Sequence, residues 1–386
     1  MINRERLANT FKWLVGIDSV SREESEISQA IQSVLAGMGA KIRVDDAASR
    51  IGGNAGNVVA RFDGNSAVPP LMLNAHMDTV EPGRGVRAIF EDGVFRSDGS
   101  TILGADDKSA IAVIIETMRI IQERGIPCGP VEVVLTVCEE IGLMGAKHLD
   151  FSLISARYGY ALDASNTEGI VTRAPAANRF EIRVHGKAAH AGAAPEDGVN
   201  AILLASRAVA ALTLGRIDAE TTCNIGTIEG GTATNIVPDR VTLQGEVRSH
   251  DTGKLNRVTD TILSTFDQVI AAAASPDGGA SPAVDWDIHP DFPATHIDAD
   301  HPVVTLAQRA AANLGRTITP QSTGGGADAN IFFDKGIVTG VLGTGMKNMH
   351  TVRESIALDD MVRMTELMLE ILRLHTEDHL DRASGE

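Results

Sequence analysis

The order of apolar segments along the chain limits its fold more than any other feature. Between residues 41 and 162, short apolar runs alternate with stretches of helical periodicity, which is typical of an α/β sheet with parallel strands. The run at residues 71–75 is almost continuously apolar, as expected for a strand buried on both faces. From about residue 180 the order becomes β-α-β-β-α-β, the split βαβ unit of a small ferredoxin-like domain.

The α/β pattern resumes after this block, so we predict that a second domain is inserted into the first. A chain of 386 residues also exceeds the usual size of a single core. The predicted domains are a catalytic domain in two parts, residues 1–176 and 295–386, and an inserted domain, residues 177–294.

Two local signals predict where elements begin and end. The sequence SREE at residues 21–24 has the spacing of a capping box at the start of a helix. Proline-containing segments at residues 173–175 and 289–293 flank the inserted block, and we interpret them as joints between the domains.

The overall charge and composition exclude several classes of partner. The formal charge of −17 argues against a nucleic-acid partner, because phosphate backbones are bound by clustered Lys and Arg. The sequence lacks a stretch approaching the ~20 apolar residues of a membrane span, and the first twenty residues lack the apolar run of a signal peptide. Three cysteines without a CxxC spacing indicate a reducing compartment. We therefore expect a cytoplasmic protein with neither a nucleic-acid nor a membrane partner.

Acidic and histidine side chains follow the predicted strands at several separate places. In open α/β sheets, ligands collect at the carboxyl ends of strands, so we expect these side chains to lie along one edge. Carboxylates and imidazoles placed in this way can hold two divalent ions about 3.5–4 Å apart, which suits hydrolysis. The residues concerned are His76 and Asp78, Asp106 and Asp107, Glu139 and Glu140, Asp163, and His350.

Each of these motifs also has a purely structural explanation. A histidine such as His76 can cap a turn, and an aspartate can cap a helix N-terminus. Asp106 and Asp107 cannot both serve as the cap, so one of them is free to bridge two metals. Glu139 and Glu140 could lie in a solvated loop, or one could ligate a metal while the other acts as a general base.

Together these segments resemble the co-catalytic zinc exopeptidases that include peptidase T, carboxypeptidase G and the aminoacylases. The resemblance covers essentially the full chain, and the GADDK sequence is most like that of the peptidase T branch, the tripeptide aminopeptidases. It implies a catalytic domain with a mixed sheet flanked by helices, and an inserted ferredoxin-like lid and dimerisation domain. It rests on NAHMDTV (74–80), LGADDKS (103–109), TVCEEIG (136–142), Asp163, HAG (190–192) and His350.

The resemblance also implies the metal ligands. His76 and Asp163 would bind one Zn²⁺, Glu140 and His350 would bind the other, and Asp106 would bridge the two. This gives two zinc ions per chain, although Co²⁺ or Mn²⁺ could occupy sites with such ligands.

Further implied roles concern catalysis and substrate. Asp78 would orient His76, and Glu139 would be the general base that assists attack by a metal-bridging water. His190, on spacing alone a plain loop histidine, would reach the active site of the partner subunit in a homodimer and stabilise the oxyanion. Asn235 and Arg248 resemble substrate-contacting positions.

The expected activity is hydrolysis of the N-terminal amide bond of a small peptide, as in a tripeptide aminopeptidase. One departure bears on the substrate: Gly324 occupies the position where tripeptidases of the family carry an arginine for the substrate carboxylate. An alternative is therefore an amidohydrolase of N-acyl or N-carbamoyl amino acids on the same scaffold. A second alternative is a binding or assembly protein that has lost activity.

Overall fold

The computed structural model describes residues 2–273 and 281–384. The chain forms two compact units. The first comprises Met1–Arg173, His296–Thr323 and Ala327–Glu386, and the second comprises Ala174–Thr295 and Gly324–Gly326. The short segment at 324–326 thus groups with the second unit although it lies far beyond it in the sequence.

The secondary structure alternates between strands and helices along most of the chain. The helices are α1 (Arg4–Val15), α2 (Ser25–Gly37), α3 (Ala47–Ile51), α4 (Ala105–Arg124), α5 (Met144–Lys147), α6 (Ala201–Ala211), α7 (Thr252–Ala272), α8 (Pro302–Asn313), α9 (Asp328–Asp334) and α10 (Leu358–Ser384). The strands are β1 (Lys41–Val44), β2 (Val58–Phe62), β3 (Leu71–His76), β4 (Ile89–Glu91), β5 (Val94–Arg96), β6 (Val131–Thr136), β7 (Tyr158–Ala164), β8 (Gly169–Ala174), β9 (Ala176–His185), β10 (Gly215–Arg216), β11 (Thr221–Gly230), β12 (Arg240–Ser249), β13 (Ala283–Phe292), β14 (Thr295–His296), β15 (Thr319–Ser322), β16 (Val338–Gly343) and β17 (Ser355–Ala357). Within the described part of the chain, we find no helix with the length and apolarity needed to cross a bilayer.

The first unit is built on a mixed sheet that contains the strands β1-β2-β6-β3-β7-β16-β8 in this order, with β15 also paired to β8. Strand β3 is buried at every residue, because it has parallel neighbours on both sides, β6 and β7, and α4 packs against it. Its nearly continuous apolar sequence follows from this central position, where neither face of the strand meets water. The predicted mixed sheet flanked by helices is confirmed.

Several strands of this sheet end at the same edge. Strands β3, β6, β7 and β16 are parallel to their neighbours in this group, so their carboxyl ends point the same way. His76 is the last residue of β3, and Asp163 is the next to last of β7. Glu139 and Glu140 follow β6, and His350 lies in the segment after β16. The sheet therefore gathers residues that are far apart in sequence.

The second unit is an antiparallel sheet covered by two helices. Its strand order is β10-β11-β12-β9-β13, and all neighbours pair antiparallel. Alternate side chains of β9, namely Phe180, Ile182 and Val184, share a core with Leu204 of α6 and Phe266 of α7. Apart from the two-residue β10, the element order is β-α-β-β-α-β, so the predicted ferredoxin-like domain is confirmed.

Two local predictions are wrong. Residues 21–24 form no capping box, because the Glu24 carboxylate instead accepts backbone N–H bonds from Arg22 at 2.9 Å and Cys138 at 3.0 Å, and α2 begins after it. The predicted joint at residues 289–293 lies largely within β13. Pro290 is tolerated there because β13 is an edge strand and its register shifts beside the proline.

Candidate metal centre

The loops that follow β3 and β6 are joined by the buried carboxylate of Asp78. Its Oδ1 accepts the backbone N–H of Glu139 at 2.9 Å, and its Oδ2 accepts the N–H of Glu140 at 3.2 Å. The hydroxyl of Ser21 donates to Oδ2 at 2.6 Å. Asp78 thus fixes the backbone of both glutamates relative to the end of β3.

His76 is held in one orientation by the same loop. Its Nδ1 lies 3.0 Å from the backbone carbonyl oxygen of Asp78, and a carbonyl only accepts, so Nδ1 carries a proton. Nε2 faces Oδ1 of Asp106 at 3.1 Å. Burial opposes protonation, but hydrogen bonds to Asp106 and Asp78 raise the pKa of His76 above its usual value. With Nδ1 fixed as the donor, Nε2 is the nitrogen available to a metal.

The Asp106 carboxylate lies between two imidazoles. Its Oδ1 faces Nε2 of His76 at 3.1 Å, and its Oδ2 faces Nε2 of His350 at 3.3 Å. Burial favours the neutral acid, yet the hydrogen bonds from both histidines keep the pKa of Asp106 below its usual range. A carboxylate with one oxygen directed to each histidine has the geometry of a bridging ligand.

Glu140 and His350 form a pair next to Asp106. His350 Nε2 lies 3.0 Å from Oε2 of Glu140, and ligand atoms of His76, Asp106 and Glu140 all lie within 4.8 Å of one another. Hydrogen bonds to Asp106 and Glu140 raise the pKa of His350 to about 10. Burial raises the pKa of Glu140, although His350 opposes that shift.

His76 also belongs to a second group of candidate ligands. His76, Asp107 and Asp163 offer ligand atoms within 4.8 Å of one another, and Oδ2 of Asp107 accepts the backbone N–H of His76 at 3.2 Å. Burial raises the pKa of both aspartates. The carboxylates of Asp163 and Asp106 add to the shift of Asp107, and those of Asp106, Glu140 and Asp328 add to the shift of Asp163. From the sequence, a metal-binding role was assigned to Asp106 and none to Asp107. The available signal was that two adjacent aspartates cannot both cap one helix, so the second could have been a ligand as well.

Glu139 is buried beside these carboxylates. Burial raises its pKa, His76 opposes the shift, and the Asp163 and Asp328 carboxylates increase it. Asp328, at the start of α9, was also missed from the sequence. It is buried, accepts a hydrogen bond from the Thr136 hydroxyl, and has a pKa raised by burial to about 6.

The residues of this edge fit a pair of divalent cations. Burying several carboxylates without a compensating cation is costly. Within the described residues, neither Oδ1 of Asp107 nor Oε1 of Glu140 has a hydrogen-bond partner, although both atoms are buried. Imidazole nitrogens and carboxylate oxygens are ligands of zinc and of neighbouring transition metals, so the donor set suits a dinuclear centre.

The remaining candidate residues belong to the second unit. His190 is exposed, and its Nδ1 accepts backbone N–H bonds from Gly192 at 3.2 Å and Ala193 at 3.1 Å. The neutral ring therefore carries its proton on Nε2, where it can be donated. The backbone carbonyl of Asn235 accepts the N–H of Ala191 at 2.9 Å, which places Asn235 next to the His190 loop.

Arg248 lies on β12 of the second unit. Its guanidinium binds both carboxylate oxygens of Glu246, at 2.9 and 3.0 Å, and stacks 5.6 Å from the ring centre of Phe292. It also donates to the carbonyl oxygen of Gly324 at 3.2 Å. Arg248 thus contacts the backbone at the position where an arginine was expected.

Comparison with known proteins identifies the family. A model of the peptidase dimerisation domain matches residues 176–273, and a model of peptidase family M28 matches residues 57–188. The uncharacterised protein YqjE of Bacillus subtilis is 39% identical over 373 residues, which cover 96% of this chain and 99% of that protein.

Two solved structures are similar over almost the whole chain. A tripeptidase from Staphylococcus aureus is 37% identical with a TM-score of 0.92, and the match covers 98% of this chain and 100% of that one. Aminopeptidase PepT from Bacillus cereus is 39% identical with a TM-score of 0.87, and the match covers 97% and 99%. The resemblance found in the sequence motifs is confirmed. The chain therefore belongs to the metallopeptidase family of peptidase T and carboxypeptidase G, and it is a hydrolytic peptidase.

Proposed function

We propose that the protein is a dinuclear zinc peptidase that hydrolyses the N-terminal amide bond of small peptides, as a tripeptide aminopeptidase does. The observation that carries this proposal is the Asp106 carboxylate, which lies between His76 and His350 in a buried cluster of acids. The substrate class is suggested by the similar structures from S. aureus and B. cereus, a tripeptidase and an aminopeptidase.

The ligand atoms divide between two proposed metal positions. His76, Asp163 and Asp106 would hold one ion, and Asp107 lies close enough to contribute. Asp106, Glu140 and His350 would hold the other. Zinc suits these nitrogen and oxygen ligands, and cobalt or manganese could replace it. When bound, such ions lower the pKa of a water and polarise the substrate carbonyl.

Glu139 is the proposed general base. Its carboxylate would take the proton from the attacking water and pass it to the leaving amine. Burial raises the pKa of Glu139 above its usual value. The Asp78 carboxylate accepts the backbone N–H of Glu139 and so keeps Glu139 in place. The backbone carbonyl oxygen of Asp78 accepts the Nδ1 proton of His76 and so orients the ring.

His190 is the proposed oxyanion donor, acting in the active site of a partner subunit. Its Nε2 proton is free for donation because Nδ1 accepts two backbone N–H bonds. The match of residues 176–273 to a peptidase dimerisation domain supports a homodimer that forms through the second unit.

Arg248 and Asn235 are the proposed substrate-binding residues. Gly324 offers no cation for the carboxylate of a tripeptide, and Arg248 donates to the carbonyl of that glycine. Glu246 neutralises the guanidinium, so a substrate carboxylate must share or displace that partner. Bidentate binding of carboxylates is the chemistry that arginine performs best.

The glycine at position 324 also favours a second candidate function. An amidohydrolase of N-acyl or N-carbamoyl amino acids would use the same centre and the same base, with a shorter substrate.

A panel of substrates separates the two candidates. We expect metal-reconstituted protein to release the N-terminal residue from tripeptides such as Ala-Ala-Ala, as detected by mass spectrometry. N-acetyl and N-carbamoyl amino acids serve as the competing substrates in the same assay. Cleavage of the acylated amino acids alone would contradict the aminopeptidase proposal and leave the metal centre and base in place.

Glu139→Gln should lower kcat by about 10²- to 10⁴-fold, because the amide cannot accept the proton. Metal content, measured by elemental analysis, should remain that of the wild type. Glu91→Gln, a change on the exposed strand β4, is the matched control and should keep full activity. A Glu139→Gln variant with wild-type turnover would refute the assignment of the base.

Heterodimers test whether His190 acts across the subunit interface. We expect His190→Ala and Glu139→Gln homodimers each to be impaired, the former by about 10²- to 10³-fold. When the two variants are co-expressed with different tags and purified as a heterodimer, one site combines an intact Glu139 with the partner's intact His190. Activity should then return to about half of the wild-type value. If the heterodimer stays as inactive as the homodimers, His190 does not act in trans.

A further inference from the structure

The carboxylate of Glu354 is buried in the first unit and surrounded by backbone N–H groups. Its Oε2 accepts the N–H of Leu103 at 2.8 Å and of Gly104 at 2.7 Å, and its Oε1 accepts the N–H of Asp106 at 3.0 Å. The side chain is 1% exposed. A buried carboxylate is stable only when its oxygens are well hydrogen-bonded. The backbone N–H groups of this turn meet that requirement for Glu354.

The turn that Glu354 binds carries the shared carboxylate. It leads into α4, but Asp106 (φ −80°, ψ 102°) and Asp107 (φ −121°, ψ 26°) depart from helical geometry. The first turn of α4 is therefore not held by the usual helical hydrogen bonds. The Glu354 carboxylate supplies acceptors for this irregular backbone, including the N–H of Asp106 itself.

Glu354 also belongs to the segment that carries His350. Lys347 and Ser355 exchange backbone hydrogen bonds at 2.9 and 3.0 Å, which closes residues 347–355 into a compact loop. His350 lies within this loop at a positive φ of 61°. Residues other than glycine seldom adopt this backbone conformation unless their surroundings hold it. The loop thus places His350 against the Asp106 carboxylate, and Glu354, near the end of the loop, binds the backbone N–H of Asp106.

We propose that Glu354 is a positioning residue that sets the distance between Asp106 and His350 and thereby the affinity of the centre for metal. It ligates no metal itself, since its oxygens are occupied by backbone N–H groups. The inference rests on the proposed dinuclear centre. It adds a residue that affects metal binding through the positions of two ligands, Asp106 and His350.

Glu354→Gln tests this role, because an NH₂ group would face at least one backbone N–H in place of an acceptor. We expect its affinity for Zn²⁺, measured on metal-free protein by competition with a chromophoric chelator, to fall about 10- to 100-fold. Glu354→Asp keeps the charge but shortens the reach, and should bind zinc with an affinity between Glu354→Gln and wild type.

Glu132→Gln is the matched control. Glu132 is equally buried, at 1% exposed, and accepts the N–H groups of Ser155 and Ala156 at 2.9 Å each, but it lies near the start of β6 rather than at the site edge. We expect Glu132→Gln to lower the melting temperature and to leave zinc affinity unchanged.

The outcomes separate this inference from the proposed function. Wild-type zinc affinity in Glu354→Gln, or an equal loss in Glu132→Gln, would overturn the positioning role. If Glu354→Gln does not fold, the comparison of Glu354→Asp with Glu132→Gln decides the question in the same way. A wild-type protein that binds zinc and cleaves no tripeptide would contradict the proposed substrate, while the affinity comparison would still stand.

Discussion

The contact of one carboxylate with two imidazoles is the interaction on which the rest of the site depends. Asp106 faces His76 and His350 with different oxygens, and it can do so only because β3 and β16 bring their carboxyl ends to one edge. The remaining acids gather around this contact, and burial raises the pKa of Glu139, Glu140 and Asp163. Bound cations would offset the charge of these acids, which is the physical reason to expect a metal centre at this edge.

Much of the architecture could be predicted because its signals are local. An apolar run without polar alternation identified the central strand β3, and the change of element order marked the ferredoxin-like domain. The family assignment followed from short motifs at strand ends and is confirmed by relatives that span the chain. This assignment also argues against the alternative of an inactive binding or assembly protein, since the family is one of hydrolytic peptidases.

The features that sequence reasoning missed depend on contacts between distant residues. Glu354 lies in a loop, and its hydrogen bonds to the turn before α4 can be found only in the folded structure. Asp328 is buried beside Glu139 through the packing of α9. Glu24 has the spacing of a capping residue, but tertiary contacts with Cys138 use its carboxylate instead. The segment around Pro290 was interpreted as a joint between domains. A strand at the edge of a sheet tolerates proline, but the local sequence does not show that β13 has this position.

We propose that Asp106 is shared by two metal ions. A crystal structure of zinc-loaded protein, with anomalous data collected at the zinc edge, tests it most directly. We expect two anomalous peaks about 3.5–4 Å apart, each about 2.0–2.2 Å from a different oxygen of Asp106. A single peak, or two peaks with Asp106 bound to only one of them, would contradict it.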